Sequence, residues 1–165
     1  MRRNYMSSKR ERVTHNQQTY MVTTNTWERR GLFRNECWAR LLLDTLYHYR
    51  GSAYLLDEFV IMPDHIHVLV SPTTSLEKAV QFIKGGFSYR AKKELGFGGE
   101  IWETSFHDWR VRDWEEYCHY RDYIHLNPVK ARLSTEAAFY SHSSAAGRFP
   151  LAPCPQRLKP TIQAI

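Results

Sequence analysis

The segment between residues 53 and 70 constrains the fold more than any other part of the chain. Two runs rich in β-branched and aliphatic residues, AYLLDEFVIM at 53–62 and HIHVLV at 65–70, are separated only by Pro63 and Asp64. Proline and aspartate between two such runs are typical of a tight turn. The sequence therefore predicts an antiparallel pair of strands, the second of which begins with two histidines one residue apart.

These histidines share one face of the predicted strand. Successive side chains of a strand point to opposite faces, so His65 and His67 lie on one side and three aliphatic residues form the core face, namely Ile66, Val68 and Val70. Two imidazoles at this spacing stand about 7 Å apart at their Cα atoms, near enough to bind one metal ion. The alternative is two half-exposed histidines on the solvent face of a sheet, and the triplet alone does not separate these interpretations.

Helix and strand patterns alternate along the rest of the chain. TYMVTTNTW at 19–27 predicts a first strand, and residues 35–49 have a helical apolar period that Gly51 ends. Ser75 is a suitable N-cap for a second helix over 75–95, which Gly85 and Gly86 interrupt. Its apolar stripe consists of Leu76, Ala79, Val80, Ile83, Phe87 and Ala91.

A final strand and helix follow. IWETSFHDWRV at 101–111 is aromatic and β-prone, and Asp113 with Glu116 approximates a capping box for a third helix over 113–127. Pro128 is expected to end this helix, because the residue before a proline is pushed out of the helical region. The order of elements predicts an α+β fold, a ferredoxin-like antiparallel sheet with helices on its faces.

The length of 165 residues suits a single domain with tails. Residues 1–16 are basic without an apolar period and predict a flexible arm, and 17–145 hold the predicted domain. Residues 146–165 contain four of the seven prolines and predict an irregular, Pro-rich C-terminal tail.

Charge and cysteine usage narrow the class of protein. A net charge of +6 with 14% aromatic residues favours a nucleic-acid partner, the alternative being a well-solvated basic surface. No stretch has the length of a membrane span, and the basic start lacks the apolar stretch of a signal peptide. Three widely spaced cysteines indicate free thiols in a reducing cytosol, so we expect a cytoplasmic protein.

The third predicted helix has polar residues along one face. Glu116, Tyr120, Tyr123 and Asn127 recur at spacings of four, three and four residues. One tyrosine could act as a covalent nucleophile, with Asn127 as an oxygen ligand for a metal one turn away. The alternative makes the tyrosines boundary residues with buried rings and Asn127 a C-terminal cap. Spacing does not separate Tyr120 from Tyr123.

Four motifs together resemble one family. MPDHIHVLVS, LEKAVQFIKGGFSYR, IWETSFHDWRVRD and YRDYIHLNPVKARL, in this order over roughly residues 18–145, look like the REP-associated tyrosine transposases, the bacterial branch of the single-tyrosine HUH transposases. The most specific parts are the His65-Ile66-His67 triplet and the segment DYIHLNPVKA. The resemblance implies an HUH nuclease-type fold.

The resemblance also implies an activity. Members of the family nick and rejoin single-stranded or hairpin DNA with a divalent cation, Mg²⁺ or Mn²⁺, through a 5′-phosphotyrosine that leaves a free 3′-hydroxyl. Carried over by motif, Tyr123 is the nucleophile, and His65, His67 and Asn127 are the metal ligands. The implied substrate is a repetitive extragenic palindrome hairpin with a short guide sequence. A monomer is favoured, and a homodimer with shared active sites is the alternative.

A DNA surface requires cations, aromatic rings and close approaches of the phosphate chain. The segment Lys84-Gly85-Gly86-Phe87 offers all three, although a packing kink explains its glycines equally well. The candidate DNA-binding cations are Lys84, Arg90, Lys92, Lys93, Arg110, Arg112 and Lys130. Two other functions remain open: a palindrome-binding protein without catalysis, and a metal phosphodiesterase that hydrolyses DNA without a protein-linked intermediate.

Overall fold

A single antiparallel sheet organises the chain. The computed structural model describes residues 18–161, and its sheet has four strands in the order β2-β3-β1-β4. The strands and helices are β1 (Thr19–Asn25), α1 (Glu36–Tyr49), β2 (Tyr54–Met62), β3 (His65–Pro72), α2 (Leu76–Leu95), β4 (His107–Val111) and α3 (Trp114–Lys130). This arrangement confirms the predicted α+β fold, and the predicted basic arm at residues 1–16 lies outside the described residues.

The hairpin predicted from residues 53–70 forms one half of the sheet, with β2 at the edge and β3 inside. β2 and β3 pair antiparallel from Tyr54 opposite Pro72 to Met62 opposite His65, so Pro63 and Asp64 make the predicted turn. β3 then pairs with β1 on its other side, where His67 lies opposite Thr23. β3 is thus a central strand, and its backbone is held on both sides.

Each face of the sheet carries its own core. α1 and α2 cover one face, where Ile66, Val68 and Val70 are buried as predicted. All six residues of the predicted α2 stripe are buried there, and Ser75 caps the helix by accepting a hydrogen bond from Lys78 N at 3.2 Å. α3 covers the opposite face, where Tyr117 and Ile124 pack against Met21 and Leu69. The histidine face is therefore covered by a helix rather than open to solvent.

Two predicted boundaries, the end of α3 and the start of β4, were wrong. α3 continues past Pro128 to Lys130: Pro128 is buried near the helix end, and the helix loses there the hydrogen bond that an amide would make to the carbonyl of Ile124. For the same reason Asn127 lies inside the helix and does not cap it. The strand predicted from residue 101 begins only at His107. Trp102 makes an isolated antiparallel bridge to Thr26, and its ring is buried in the core and donates from Nε1 to the carbonyl of Lys84 at 3.1 Å.

The glycine pair does not interrupt α2. A Cβ on Gly86 would lie 2.5 Å from Cε2 of Tyr49, so this glycine lets α1 and α2 approach closely. Gly85 has no neighbour within 4 Å of such a Cβ. Helix packing therefore accounts for one glycine and leaves the other without a structural role.

The C-terminal segment follows the outer edge of β2. Ile61 N donates to the carbonyl of His142 at 2.9 Å, and Ala152 N donates to the carbonyl of Leu56 at 2.8 Å. Leu158, which is 2% exposed, inserts into the core beneath α3. These contacts cover an edge strand that would otherwise present unpaired backbone groups.

Two expectations about the class of protein can be compared with the described residues. Cys37, Cys118 and Cys154 are free, as expected. None of the helices between residues 18 and 161 is both long enough and apolar enough to cross a bilayer.

Candidate active site

The two histidines and Tyr123 lie on the same face of the sheet. The rings of His65 and His67 have centroids 4.7 Å apart, and the ring of Tyr123 has its centroid 5.1 Å from that of His67. β3 supplies the imidazoles, and α3, which crosses this face, supplies the phenol. The tertiary structure thus brings together residues that are more than fifty positions apart in the sequence.

His67 is the buried member of the pair. Its Nδ1 lies 2.6 Å from Thr23 Oγ1 on β1, and its Nε2 lies 3.2 Å from Asn127 Nδ2 on α3. With the Asn127 amide in this orientation its NH₂ group donates to Nε2, which then carries the lone pair, and Nδ1–H donates to Thr23 Oγ1. Burial, reinforced by repulsion from His65 and Arg29, lowers the pKa of His67 to about 3. The imidazole is therefore neutral at pH 7, as a metal ligand must be.

His65 stands at the turn between β2 and β3 and is oriented by Asp64. Its Nδ1 donates to Asp64 Oδ1 at 2.6 Å, which leaves the Nε2 lone pair unused by this contact. Burial lowers the pKa of His65 and outweighs the opposing attraction of Asp64. A carboxylate behind a histidine is the usual support of a metal-binding imidazole. The sequence analysis missed Asp64, although it immediately precedes the histidine triplet.

Arg29 holds Asp64 in place from the other side. Its Nε donates to Asp64 Oδ2 at 3.0 Å, and its Nη1 donates to Asn25 Oδ1 at 2.5 Å. Burial would raise the pKa of Asp64, but His65 and Arg29 together lower it. Glu28 and Arg29 have φ values of 54° and 55°, in the left-handed region that few non-glycine residues occupy. Such backbone strain is concentrated at functional sites, and here it lies next to the imidazole pair.

The residues around the imidazoles fit a divalent cation. Both Nδ1 atoms form hydrogen bonds to protein groups. The two Nε2 atoms and the Asn127 amide are left as possible metal ligands. Turning the amide by 180° would present Oδ1 instead of Nδ2, which ordinary structures do not distinguish. Between residues 18 and 161, no three His, Cys, Asp or Glu side chains gather as a metal site. A cation here would therefore depend on two imidazoles, one amide oxygen and further oxygens from substrate or water.

The geometry separates the two tyrosines that spacing left equivalent. Tyr123 is 38% exposed, lies beside His67, and has the ammonium nitrogen of Lys130 5.8 Å from its ring centroid. Tyr120 packs against the core beneath α3. A phenol that must reach a bound substrate needs an accessible position such as that of Tyr123.

A buried carboxylate ties α3 to the sheet at a residue that lies between Tyr123 and Asn127 in the sequence. Glu58 on β2 is 8% exposed, and its Oε2 lies 2.8 Å from Nε2 of His125, which stands midway between Tyr123 and Asn127. The same oxygen accepts a hydrogen bond from Ser144 Oγ at 2.5 Å. The sequence analysis missed this network, whose one visible signal is an acidic pair inside an aliphatic run.

The predicted DNA-binding cations do not form one surface. Lys130 lies beside Tyr123, whereas Arg110 and Arg112 lie at the opposite end of the sheet. The other four belong to α2, on the face away from the imidazoles: Lys84, Arg90, Lys92 and Lys93. Two of these already have protein partners. Lys84 Nζ donates to the carbonyl of Glu103 at 2.6 Å, and Arg90 Nε donates to Glu94 at 3.0 Å.

The fold and the site together define a class: an α+β domain in which a histidine pair on a central strand faces a tyrosine on a covering helix. The chain belongs to the IS200-like transposase family, whose model matches residues 14–127.

Two comparisons identify REP-associated proteins that are similar to this chain. The REP-associated tyrosine transposase of Escherichia coli (strain K12) is 24% identical over 115 residues, which are 68% of this chain and 67% of that protein. A structure of a REP-associated tyrosine transposase bound to a REP hairpin superposes with a TM-score of 0.68 at 20% identity, covering 96% of this chain and 98% of that one.

A second solved structure has a related fold. A proposed transposase from Deinococcus radiodurans R1 gives a TM-score of 0.50 at 23% identity, covering 70% of this chain and 95% of that one.

Proposed function

We propose that this protein is a metal-dependent endonuclease and strand transferase that nicks and rejoins hairpin DNA through a covalent 5′-phosphotyrosine on Tyr123. The observation that carries the proposal is the contact between the His67 and Tyr123 rings, whose centroids are 5.1 Å apart. It supports the proposal because the phenol that we propose as the nucleophile lies beside two imidazoles that could share one cation. Membership of the IS200-like transposase family supports the same chemistry.

The first step exchanges one phosphodiester for another. The phenol oxygen of Tyr123 attacks phosphorus, the bond from phosphorus to the 3′ oxygen breaks, and the 5′ phosphate becomes linked to the tyrosine. The phenol proton is lost to solvent, and the departing 3′ oxygen takes up a proton. Because no water enters the product, the reverse attack by a 3′-hydroxyl rejoins a strand and releases Tyr123.

A phenol that carries its proton is a weak nucleophile, so a cation at the scissile phosphate would assist the attack. His65, His67 and Asn127 would hold Mg²⁺ or Mn²⁺ next to the scissile phosphate. Such a cation, when bound, draws electron density from the phosphate and stabilises charge on the oxygens that are attacked and expelled. Asp64 and Thr23 orient the two imidazoles toward that position through their Nδ1 atoms.

One chain supplies every group of the proposed site. Tyr123 faces the His67 of its own chain, and α3 is tied to β2 of that chain through Glu58 and His125. We therefore infer that a monomer is sufficient for cleavage. Exchange of α3 between two subunits would require the contact between Glu58 and His125 to break.

A hairpin is the substrate class that we propose. The structural neighbour with the higher TM-score is a REP-associated tyrosine transposase bound to a REP hairpin, and the positive charge of this chain suits a folded polyanion. The short guide sequence implied by the resemblance would place a single strand at Tyr123 while the stem lies against basic residues elsewhere.

The experiment uses one hairpin with a single-stranded extension, labelled at its 5′ end or at its 3′ end, incubated with the protein and Mg²⁺ or Mn²⁺. We expect a protein-linked product that retains only the 3′ label, because the covalent bond carries the 5′ phosphate. Y123F should remove the adduct. Y120F is the matched control, since Tyr120 lies on the same helix but packs against the core.

The outcomes separate the alternatives. Cleavage that is unchanged in Y123F would contradict the role of Tyr123. Cleaved products without a protein-linked intermediate would indicate a hydrolytic phosphodiesterase, and hairpin binding without cleavage in either metal would indicate a DNA-binding protein without catalysis.

A further inference from the structure

We propose that a pocket formed by three arginines at the far end of the sheet binds backbone phosphates of the double-stranded stem, an inference that rests on the proposed function. This three-arginine pocket is a cavity of about 530 Å³ lined by Gln18, Arg110, Arg112 and Arg157. Two of the arginines come from the end of β4, and the third comes from the C-terminal segment. Neither family motifs nor sequence spacing pointed to Arg157.

The protein holds the three side chains from different elements. Arg157 Nη2 donates to Thr19 Oγ1 at 2.7 Å, and the neighbouring Leu158 is inserted into the core at 2% exposure. Arg110 Nε donates to Gln18 Oε1 at 2.9 Å. The C-terminal segment is thus anchored so that its arginine completes a pocket begun by β4.

The charge of the pocket suits an anion. None of its four lining residues is acidic, and three are permanently cationic. Arg112 has one carboxylate partner, Glu116, at 3.3 Å, and its side chain remains 72% exposed. Burial lowers the pKa of Arg157, with the buried carboxyl of Asp57 acting in the opposite direction. Planar guanidinium groups that converge in this way match phosphate oxygens, which accept their paired hydrogen bonds.

An adjoining cavity extends the same basic surface. It has a volume of about 600 Å³ and is lined in part by Trp114, Arg157 and Lys159. Lys159 adds a second cation from the C-terminal segment. A surface with cations in two adjoining cavities suits a chain of phosphates better than a single small anion.

The distance between the three-arginine pocket and the imidazoles indicates which part of the substrate the pocket would contact. Along β1, Thr19 at the pocket is four residues from Thr23, opposite His67, and six from Asn25, opposite His65, which corresponds to about 14 to 20 Å. Duplex DNA rises about 3.4 Å per base pair, so this separation spans roughly four to six base pairs. When a nucleotide is held at Tyr123, the three-arginine pocket therefore lies beside the stem and away from the cleaved strand.

The experiment compares two hairpins that share one single-stranded extension. One has a stem of about ten base pairs and the other a stem of about three, closed by a covalent cross-link so that it stays folded. Affinities of the full chain are measured across a salt series for R157Q, R110Q and the control R40Q. Arg40 is an exposed cation of α1, outside both pockets. Thermal unfolding of each variant shows that it is folded.

With the long stem, we expect R157Q and R110Q each to weaken binding about five- to tenfold near 0.1 M salt and to reduce the salt slope by about 0.9. With the short stem their losses should match that of R40Q. Equal losses on both stems, or no loss with the long stem, would overturn the proposal. These results concern binding, so failure of the proposed chemistry would appear separately as the absence of the Tyr123 adduct in the wild-type protein.

Discussion

Asn127 Nδ2 lies 3.2 Å from His67 Nε2, so α3 and the central strand meet at the atom that a cation would need. The contact joins residues 60 positions apart in the sequence. It has a functional consequence, because Asn127 stands one helical turn after Tyr123. Any ligand held between the amide and the imidazole would also lie next to the phenol.

The first prediction concerns this amide. Asn127→Ala removes the third donor, and we expect the Mn²⁺ concentration for half-maximal adduct formation to rise by roughly ten- to a hundredfold, the range typical of groups that support a metal site. Asn127→Asp keeps an oxygen at the same position and should lose less. The measurement is a Mn²⁺ titration of the covalent product. Equal metal dependence in N127A and the wild-type protein would exclude Asn127 as a ligand.

The second prediction concerns the carboxylate behind His65. Asp64→Asn removes the charge that orients this imidazole and releases Arg29, so we expect metal affinity to fall by about ten- to a hundredfold. Isothermal titration with Mn²⁺ measures this loss without reference to cleavage. Asp44→Asn changes an exposed carboxylate on α1 and serves as the control. A loss of the same size in both variants would contradict the orienting role of Asp64.

The third prediction concerns the contact between Glu58 and His125. Glu58→Ala leaves the imidazole and the Ser144 hydroxyl without their shared acceptor, and we expect a loss of about 1–3 kcal/mol in the free energy of unfolding. Chemical denaturation gives this value. Because the contact lies between Tyr123 and Asn127, His125→Ala should also slow adduct formation at saturating Mn²⁺. A stability loss without any change in the rate would confine the network to folding.

The fourth prediction concerns Asp57, a carboxyl buried at 1% exposure beside the bulge in β2. Its Oδ1 has no hydrogen-bond partner, and burial raises its pKa to about 7. The unfolded chain has the ordinary value near 3.9, so the folded state binds the extra proton between these two values. The stability that this group contributes is therefore complete below pH 4 and is lost as the pH rises to about 7.

The test of this assignment is Asp57→Asn, which keeps the shape of the side chain and removes its titration. The wild-type protein should lose stability across this window with a slope that approaches about 1.4 kcal/mol per pH unit for one proton. D57N should lack that component and be the more stable protein at pH 8. Chemical denaturation between pH 4 and pH 8 measures both effects. Parallel curves for the two proteins would show that Asp57 does not titrate in this range.

Local sequence determined most of the elements. Residues close together in the sequence are enough to predict three features: the alternation of His65, Ile66 and His67, the turn at Pro63 and Asp64, and the α2 stripe. The reason is that strand and helix periods decide which side chains share a face. The α+β fold follows from their order. The predicted end of α3 and the predicted start of β4 were wrong because a tertiary contact, the burial of Pro128 or of Trp102, outweighed a local rule.

The arrangement of the site was decided by tertiary structure alone. Spacing left Tyr120 and Tyr123 equivalent, and only the angle at which α3 crosses the sheet puts one phenol beside His67 and the other against the core. The same holds for Glu58 with His125 and for Arg157 with Arg110, which meet across long stretches of chain. Periodicity specifies the face on which a residue lies, whereas the partner opposite that face depends on how separate elements pack.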